Sequence, residues 1–245
     1  MRVKERDQVE VYDITTYRLQ RCLTVPDSRD FFDMTSCEHF LCLYISDDIA
    51  ECIHRLDLQG AATKWPVDDR PCCLSVNAGH NLIVTCKEVR KIKEFSPRGD
   101  LLRDVTLPDD VDNPWHTIQL TSGQLIVCHG DINDPVHGVC KVSSDGRHIV
   151  QSHGGQRGSG TGQYNVPSHL AIDNDEFAFV VDAGNRQVTM LSLTLNYIRK
   201  IMSRDEVRWR PTRLCLDVHR RHLYVGENEF KDGKLRAGRV VVFSV

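Results

Sequence analysis

The chain has 245 residues, 40% of them hydrophobic and 27% charged, a balance typical of a globular domain. Its formal net charge of −3 gives no reason to expect nucleic acid or an anionic membrane as partner. No segment approaches the roughly 18 apolar residues that a membrane helix needs. The charged N-terminus, residues 1–8, is not followed by the apolar stretch of a signal peptide. We therefore expect a cytoplasmic or otherwise intracellular protein with no membrane partner.

A short strand pattern recurs along the chain and dominates its organisation. It consists of three apolar residues, a small residue and then a polar or reactive one. The copies end at Asp47, Cys86, His129, Asp182 and Glu227. Their spacing of roughly 40 to 50 residues matches the length of one four-stranded propeller blade.

Each copy is flanked by further strand patterns. A shorter strand precedes it and opens with proline in four repeats, where no ladder donor is needed. Alternating strands joined by Gly and Asp turns follow it, which indicates antiparallel hairpins. The sequence therefore predicts a single all-β domain, residues 1–245, folded as a β-propeller of four-stranded antiparallel blades. The expected boundaries are a partial blade at 1–26 and blades at about 27–67, 68–108, 109–155, 156–203 and 204–245.

The two chain ends bear on how the propeller closes. Residues 239–245 have the pattern of a third strand, so the last blade lacks its fourth. Residues 9–14 and 18–25 have the pattern of the third and fourth strands of a further blade. These patterns favour an incomplete six-bladed ring. In the alternative, residues 18–25 complete the last blade of a five-bladed ring.

One repeat carries a more specific motif. Its matching residues are Gly162-Gln163-Tyr164, Pro167, Ala171-Ile172-Asp173 and Asp182-Ala183-Gly184-Asn185-Arg186. This repeat resembles an NHL repeat, whose pattern is a Gly-rich segment, G-Q-F, a proline, A-V-D and then V-A-D-x-x-N-x-R-I. The resemblance implies a propeller that is usually six-bladed and often forms the substrate-recognition end of a ubiquitin ligase. The RING, B-box and coiled-coil segments of such ligases are absent from this sequence, so ligase activity is not assigned to it.

The motif residues have a structural interpretation. We expect Asp182 to accept backbone N–H groups across the turn between the second and third strands. Gly184 and Asn185 suit a turn with positive φ, and Arg186 is expected to pair with Asp182. All four residues are predicted to hold the turn rather than to bind a ligand.

The sequence contains none of the common catalytic motifs. It has no G-x-S-x-G elbow and no H-E-x-x-H, and the glycine run at residues 158–162 lacks the lysine of a phosphate-binding loop. That run is therefore interpreted as a connection between blades. No C-x-x-C pair suggests zinc, so we expect no metal, no cofactor and no enzymatic activity. The cysteines mostly lie in apolar runs and are expected to be small buried hydrophobes: Cys37, Cys42, Cys52, Cys72, Cys73, Cys86, Cys128, Cys140 and Cys215.

Protein recognition through the propeller loops is the leading functional prediction, because rigid scaffolds present binding residues on loops. The candidate contact residues lie in or next to these loops: Trp115, His116, His129, Trp209, Arg210 and Glu227. Replacing His129 or Glu227 by alanine is then expected to leave folding largely intact.

Two alternatives remain open from the sequence. Residues 199–221 are rich in arginine, and Arg208, Arg210 and Arg213 around Trp209 predict single-stranded RNA binding. The other alternative is a metal-dependent, lactonase-like hydrolase. In that case a hard cation is held at the ends of the second strands by Asp47, His129, Asp182 and Glu227.

Overall fold

The computed structural model describes residues 2–3, 7–175, 177–231 and 234–245. Apart from one 3-10 turn at Lys87–Val89, all regular structure in these residues is β-strand. The strands form six antiparallel sheets, four with four strands and two with three. No helix among the described residues is long and apolar enough to cross a membrane.

The chain divides into two compact units, Met1–Val105 and Thr106–Val245. The first unit begins with a three-stranded sheet made of Arg2–Val3, Gln8–Tyr12 and Leu19–Thr24. Blade 1 consists of Phe31–Cys37, Cys42–Asp47, Cys52–Asp57 and Ala62–Pro66. Blade 2 consists of Leu74–Val76, Leu82–Cys86, Lys91–Phe95 and Leu101–Thr106.

The second unit holds three more blades. Blade 3 consists of Pro114–Gln119, Leu125–His129, Val136–Val142 and Ile149–Gln156. Blade 4 consists of Pro167–Ile172, Phe177–Asp182, Gln187–Ser192 and Tyr197–Met202. Blade 5 has three described strands, Arg210–Asp217, His222–Lys231 and Lys234–Ser244. Each strand pairs with the next one along the chain, which is the meander of a propeller blade.

The predicted all-β propeller is confirmed. Five blades follow one another in the part of the chain that the structure describes, and the fifth ends after its third strand. The incomplete six-bladed ring is not confirmed. The N-terminal strand patterns instead form a three-stranded sheet of their own, because Arg2–Val3 pairs with the strand Gln8–Tyr12.

The second strands of blades 1 to 4 are buried on both faces, which explains why the recurring pattern is apolar without interruption, whereas burial alternates along residues 223–227 of blade 5. In blade 4, Ala178 and Val180 pack with the residues of blade 3, whereas Phe179 and Val181 pack with those of blade 5. Successive side chains of a strand point to opposite faces, so one apolar run stabilises two interfaces. Each of the valine and phenylalanine side chains among them contributes about 1.5–3 kcal/mol when it is fully buried.

The first unit follows the same rule. In the second strand of blade 1, Leu43 and Ile45 pack with the N-terminal sheet, and Tyr44 packs with blade 2. Eight of the nine cysteines predicted to be buried are buried. Cys215 is exposed instead, because it faces away from the core in the first strand of blade 5. All ten cysteines are free thiols.

Candidate functional site

The carboxylates at the ends of the second strands are hydrogen-bonded within their own blades. Asp182 is fully buried and accepts from the backbone N–H of Asn165 at 2.8 Å, from Asn185 Nδ2 at 2.6 Å and from Gln187 Nε2 at 2.8 Å. Burial raises the pKa of Asp182 to about 6, although the three donors oppose this rise. These bonds attach the segment entering blade 4 to the turn that follows its second strand.

Glu227 joins the entering segment of blade 5 to its strands in the same way. It is fully buried and accepts from Arg239 Nε at 2.7 Å, from Arg239 Nη2 at 3.2 Å and from the backbone N–H of Trp209 at 3.2 Å. In blade 1, Asp47 accepts from the backbone N–H groups of Arg29, Asp30 and Ala50. The acceptor oxygens of these carboxylates are therefore engaged by protein donors. Glu227 is a structural residue rather than the loop contact that the sequence predicts.

Blade 3 stabilises the same position differently. His129 is 5% exposed, and its Nδ1 has no hydrogen-bond partner among the described residues. Burial, assisted by the nearby His137, lowers the pKa of His129 to about 4. The carboxylate that joins the loops of this blade is Asp134, which accepts from Asn113 Nδ2 at 2.9 Å and from the backbone N–H of Asp131 at 2.7 Å. His129 is thus a buried neutral imidazole and not a surface contact.

The turn after the second strand of blade 4 differs from the prediction in two ways. Positive φ occurs at Arg186, with φ 52°, and not at Gly184. Gly184 is required for close approach instead, because an added Cβ would lie 2.5 Å from the backbone oxygen of Asn165. Asp182 does not pair with Arg186. It accepts side-chain hydrogen bonds from Asn185 and Gln187 instead.

A pair of stacked imidazoles lies on the first strands of blades 3 and 4. His116 and His169 are 2% and 7% exposed, and their ring centroids are 3.9 Å apart with an interplanar angle of 25°. Each follows a β-bulge that begins at a proline, Pro114 or Pro167. A bulge re-aims the residues after it, and proline fits there because it needs no ladder acceptor. His169 Nδ1 accepts from the backbone N–H of Leu214 at 3.4 Å.

Other polar groups accompany this pair. Arg213 follows the corresponding bulge in the first strand of blade 5, and its Nη1 donates to the carbonyl of Thr212 at 3.0 Å. Ser168 is 5% exposed, and its hydroxyl has no hydrogen-bond partner among the described residues. The first strands of blades 3, 4 and 5 are neighbours. A polar strip of imidazole, hydroxyl and guanidinium groups therefore runs along the first strands of the second unit.

Arg210, at the start of the first strand of blade 5, is the most unusual cation of the unit. It is half-buried, and the described residues offer its side chain no hydrogen bond and no ion pair. Desolvation lowers the pKa of its guanidinium, while the charges of Asp131 and Asp182 partly oppose that change. A desolvated cation without a counter-ion is costly unless a ligand supplies one.

The remaining predicted binding residues lie around Trp209. The Arg208 and Arg239 guanidinium carbons lie 4.9 and 5.9 Å from the centroid of the Trp209 ring, within the range of cation–π contacts. Arg208 is exposed, whereas Trp209 is half-buried. Trp115, on the first strand of blade 3, is half-buried and packs against the core between blades 3 and 4.

The structure thus brings together part of the predicted set. His116 and Arg213 lie on the polar strip, with Arg210 at the start of its blade 5 strand. His129, Glu227 and Trp115 are built into the framework. The sequence missed His169 and Ser168, although Pro114-Trp-His and Pro167-Ser-His share their proline and histidine positions, a signal that aligning the two repeats could have used.

Comparison with known proteins supports the fold class. No protein-family model matches the sequence, and no curated protein matches it. By structure the chain is similar to a streptogramin B lyase, with a TM-score of 0.61, 16% identity, and coverage of 88% of this chain and 68% of that one. It is also similar to a luciferin-regenerating enzyme, with a TM-score of 0.63, 17% identity, and coverage of 87% and 72%.

A third similar structure is the calcium-binding protein regucalcin from Agrobacterium tumefaciens, with a TM-score of 0.60, 11% identity, and coverage of 85% and 73%. Identities this low relate the chain to these proteins by fold alone. The fold and the polar strip define a β-propeller with a candidate polar ligand site on its first strands. These similarities do not establish membership of the NHL group, because propellers of different families are built from the same four-stranded blade.

Proposed function

We propose that this propeller is a non-catalytic binding protein that recognises an acidic segment of a partner protein, with Arg210 as the anchoring cation. The observation that carries this proposal is a half-buried guanidinium with no counter-ion among the described residues. A carboxylate from a partner would complete it, because arginine and carboxylate form paired, charge-assisted hydrogen bonds.

Two carboxylates, Asp131 and Asp182, act on Arg210 through their charge, but neither forms an ion pair with it. Asp182 is engaged by its three donors, and the Asp131 charge is felt by Arg210 without an ion pair. Leaving a desolvated arginine unpaired costs free energy in the isolated chain, and binding an acidic side chain would recover it. Truncating one member of such a buried charge pair typically costs about 2–5 kcal/mol of binding free energy.

A protein partner is favoured over RNA by the distribution of the arginines. Arg199 lies on the last strand of blade 4, whereas Arg213 lies on the first strand of blade 5. Arg220 lies in the hairpin at the far end of that strand, where it pairs with Asp217 at 2.9 Å. Cations spread over separate edges do not form the continuous groove that tracks a phosphate backbone.

The test begins with selection of peptides that bind the whole chain from a random displayed library. We expect enrichment of aspartate or glutamate, and fluorescence anisotropy of a selected peptide should show at least about tenfold weaker binding to Arg210→Gln. Arg208→Gln is the matched control, since it removes an exposed arginine two residues away. Equal losses in both variants would refute the anchoring role of Arg210. Tight binding of a random single-stranded RNA, lost in Arg208→Gln, would favour the RNA alternative.

A second candidate function is acid–base catalysis by His116 and His169. The observation that favours it is the stacking of their two buried rings. Two buried imidazoles in contact can divide the roles of general base and general acid. The screen is hydrolysis of lactones and esters by the whole chain, with and without calcium, manganese or zinc. Turnover that is lost in His116→Ala and in His169→Ala, and kept in Arg210→Gln, would place an enzyme ahead of a binding protein.

A further inference from the structure

A small cavity lies in the second unit, apart from Arg210 and the imidazole pair. Its volume is about 110 Å³, and its walls come from the loop at residues 159–163, from His153 on the last strand of blade 3, and from Thr189, Tyr197 and Lys200 of blade 4. This volume holds several water molecules or one small polyatomic group, and it is below the range of drug-sized pockets. None of its lining residues is acidic.

The glycine loop that forms one wall is fixed by its own side chains. Gln163 folds back into the loop, where its Oε1 accepts from the backbone N–H of Gly160 at 3.0 Å. A Cβ at Gly158 would lie 2.2 Å from that Oε1 atom, so only glycine leaves room for this arrangement. Asn185 Nδ2 donates to the carbonyl of Gly158 at 2.9 Å and ties the loop to blade 4. The loop is therefore shaped before any ligand arrives.

Several polar groups at the cavity have no hydrogen-bond or ion-pair partner in the part of the chain that the structure describes. His153 Nε2 is buried and has no hydrogen-bond partner among the described residues, and it lies 3.9 Å from the position that a Cβ of Gly162 would occupy. Lys200 makes no ion pair with any residue that the structure describes. Among the same residues, the backbone N–H groups of Thr161 and Gly162 have no hydrogen-bond acceptor.

We propose that this cavity binds a tetrahedral oxyanion, namely the terminal phosphate of a small phosphorylated ligand. Backbone N–H groups of a glycine loop together with one lysine are a recurring way to hold phosphate, and the cavity offers both. The sequence lacks a lysine beside its glycine run, but the fold brings one in from the last strand of blade 4. His153 adds a further donor, and Tyr197 adds a hydroxyl. This site does not depend on the function proposed for Arg210.

Isothermal titration calorimetry of the whole chain with inorganic phosphate and with glycerol 3-phosphate tests the proposal, with amide NMR shifts to locate the site. We expect binding that shifts the amides of Ser159, Thr161 and Gly162 and weakens about tenfold in Lys200→Gln, the effect of losing one charge-assisted hydrogen bond. The control is Arg199→Gln, which removes the same charge from the neighbouring residue and should bind normally.

Two further arms make the result decisive. His153→Asn should also weaken binding while its melting temperature stays close to that of the parent chain. Tighter binding of glycerol 3-phosphate than of inorganic phosphate identifies a phosphorylated ligand, and equal binding identifies free phosphate as the occupant. Equal weakening by Lys200→Gln and Arg199→Gln, or shifts confined to amides outside the loop, would overturn the site.

Discussion

At the scale of single residues, one sequence position recurs in every blade with different chemistry. Three blades place a carboxylate at the end of the second strand, and in each it accepts backbone N–H groups of the segment that enters the blade. The NHL-like motif predicted a turn-holding role for Asp182, but not its bond to the N–H of Asn165 in the entering segment. It was not predictable for Glu227, whose partner Arg239 lies on the next strand, outside any local motif.

Glu227→Ala is expected to destabilise the protein, contrary to the expectation from the sequence. The variant leaves the N–H of Trp209 without its acceptor and Arg239 without its counter-ion. Losing such partners in a fully buried position costs about 2–4 kcal/mol of unfolding free energy. Urea unfolding measures the loss, and Asp205→Ala, at an exposed site on the same blade connection, serves as the control. A midpoint unchanged from the parent would mean that the carboxylate does not hold this turn.

Substitutions at Gly184 and Arg186 test whether close approach or positive φ governs the turn after the second strand of blade 4. Because a Cβ would lie 2.5 Å from the Asn165 oxygen, Gly184→Ala should cost about 1–3 kcal/mol through overpacking. Arg186→Gly should be neutral or stabilising, since glycine adopts the φ of 52° without strain. Thermal unfolding of the two variants compares them. The opposite order of melting temperatures would show that positive φ, not close approach, governs the turn.

At the scale of the strand, the sequence predicted the blades well because their second strands are apolar on both faces. It could not place the bulges at Pro114 and Pro167, because an extra residue in one strand leaves no mark on a short alternating pattern. Those bulges aim His116 and His169 at each other. The stacked pair therefore depends on register, which the sequence pattern alone does not determine.

Blade 3 is expected to make stability depend on pH. The pKa of His129 is about 4 in the folded chain and 6.5 as an ordinary value, so the unfolded chain binds a proton first as pH falls. Its contribution is fully present above pH 6.5 and is lost as the pH falls towards 4, by about 3 kcal/mol in all. His129→Leu should remove that part of the dependence. Urea unfolding of both proteins at pH 7 and pH 4.5 gives the difference, and equal pH slopes would contradict it.

At the scale of the whole molecule, repeat spacing was enough to predict the propeller, because each blade must bury its faces against another. The number of blades was harder to predict. Edge strands are short and polar, and the N-terminal residues pair among themselves instead of extending a blade. Arg210 was named among the candidate contacts, but the environment that sets it apart, and the part proposed for Lys200, escaped prediction for a related reason. Arg210 and Lys200 differ from other basic residues only in surroundings that several strands create together.

The distribution of thiols offers a test of the whole fold. Cys22 and Cys215 are exposed, and the other eight of the ten free cysteines are buried. Burial raises the pKa of Cys86 and of Cys140 to about 12, which suppresses the reactive thiolate. A chromogenic disulfide reagent at pH 8 should therefore titrate two thiols rapidly in the native chain and ten in denaturant. The double variant Cys22→Ser, Cys215→Ser should show no fast phase, and the slow phase should follow the rate of unfolding. A fast reaction of more than two native thiols would mean that at least one blade interface is open in solution.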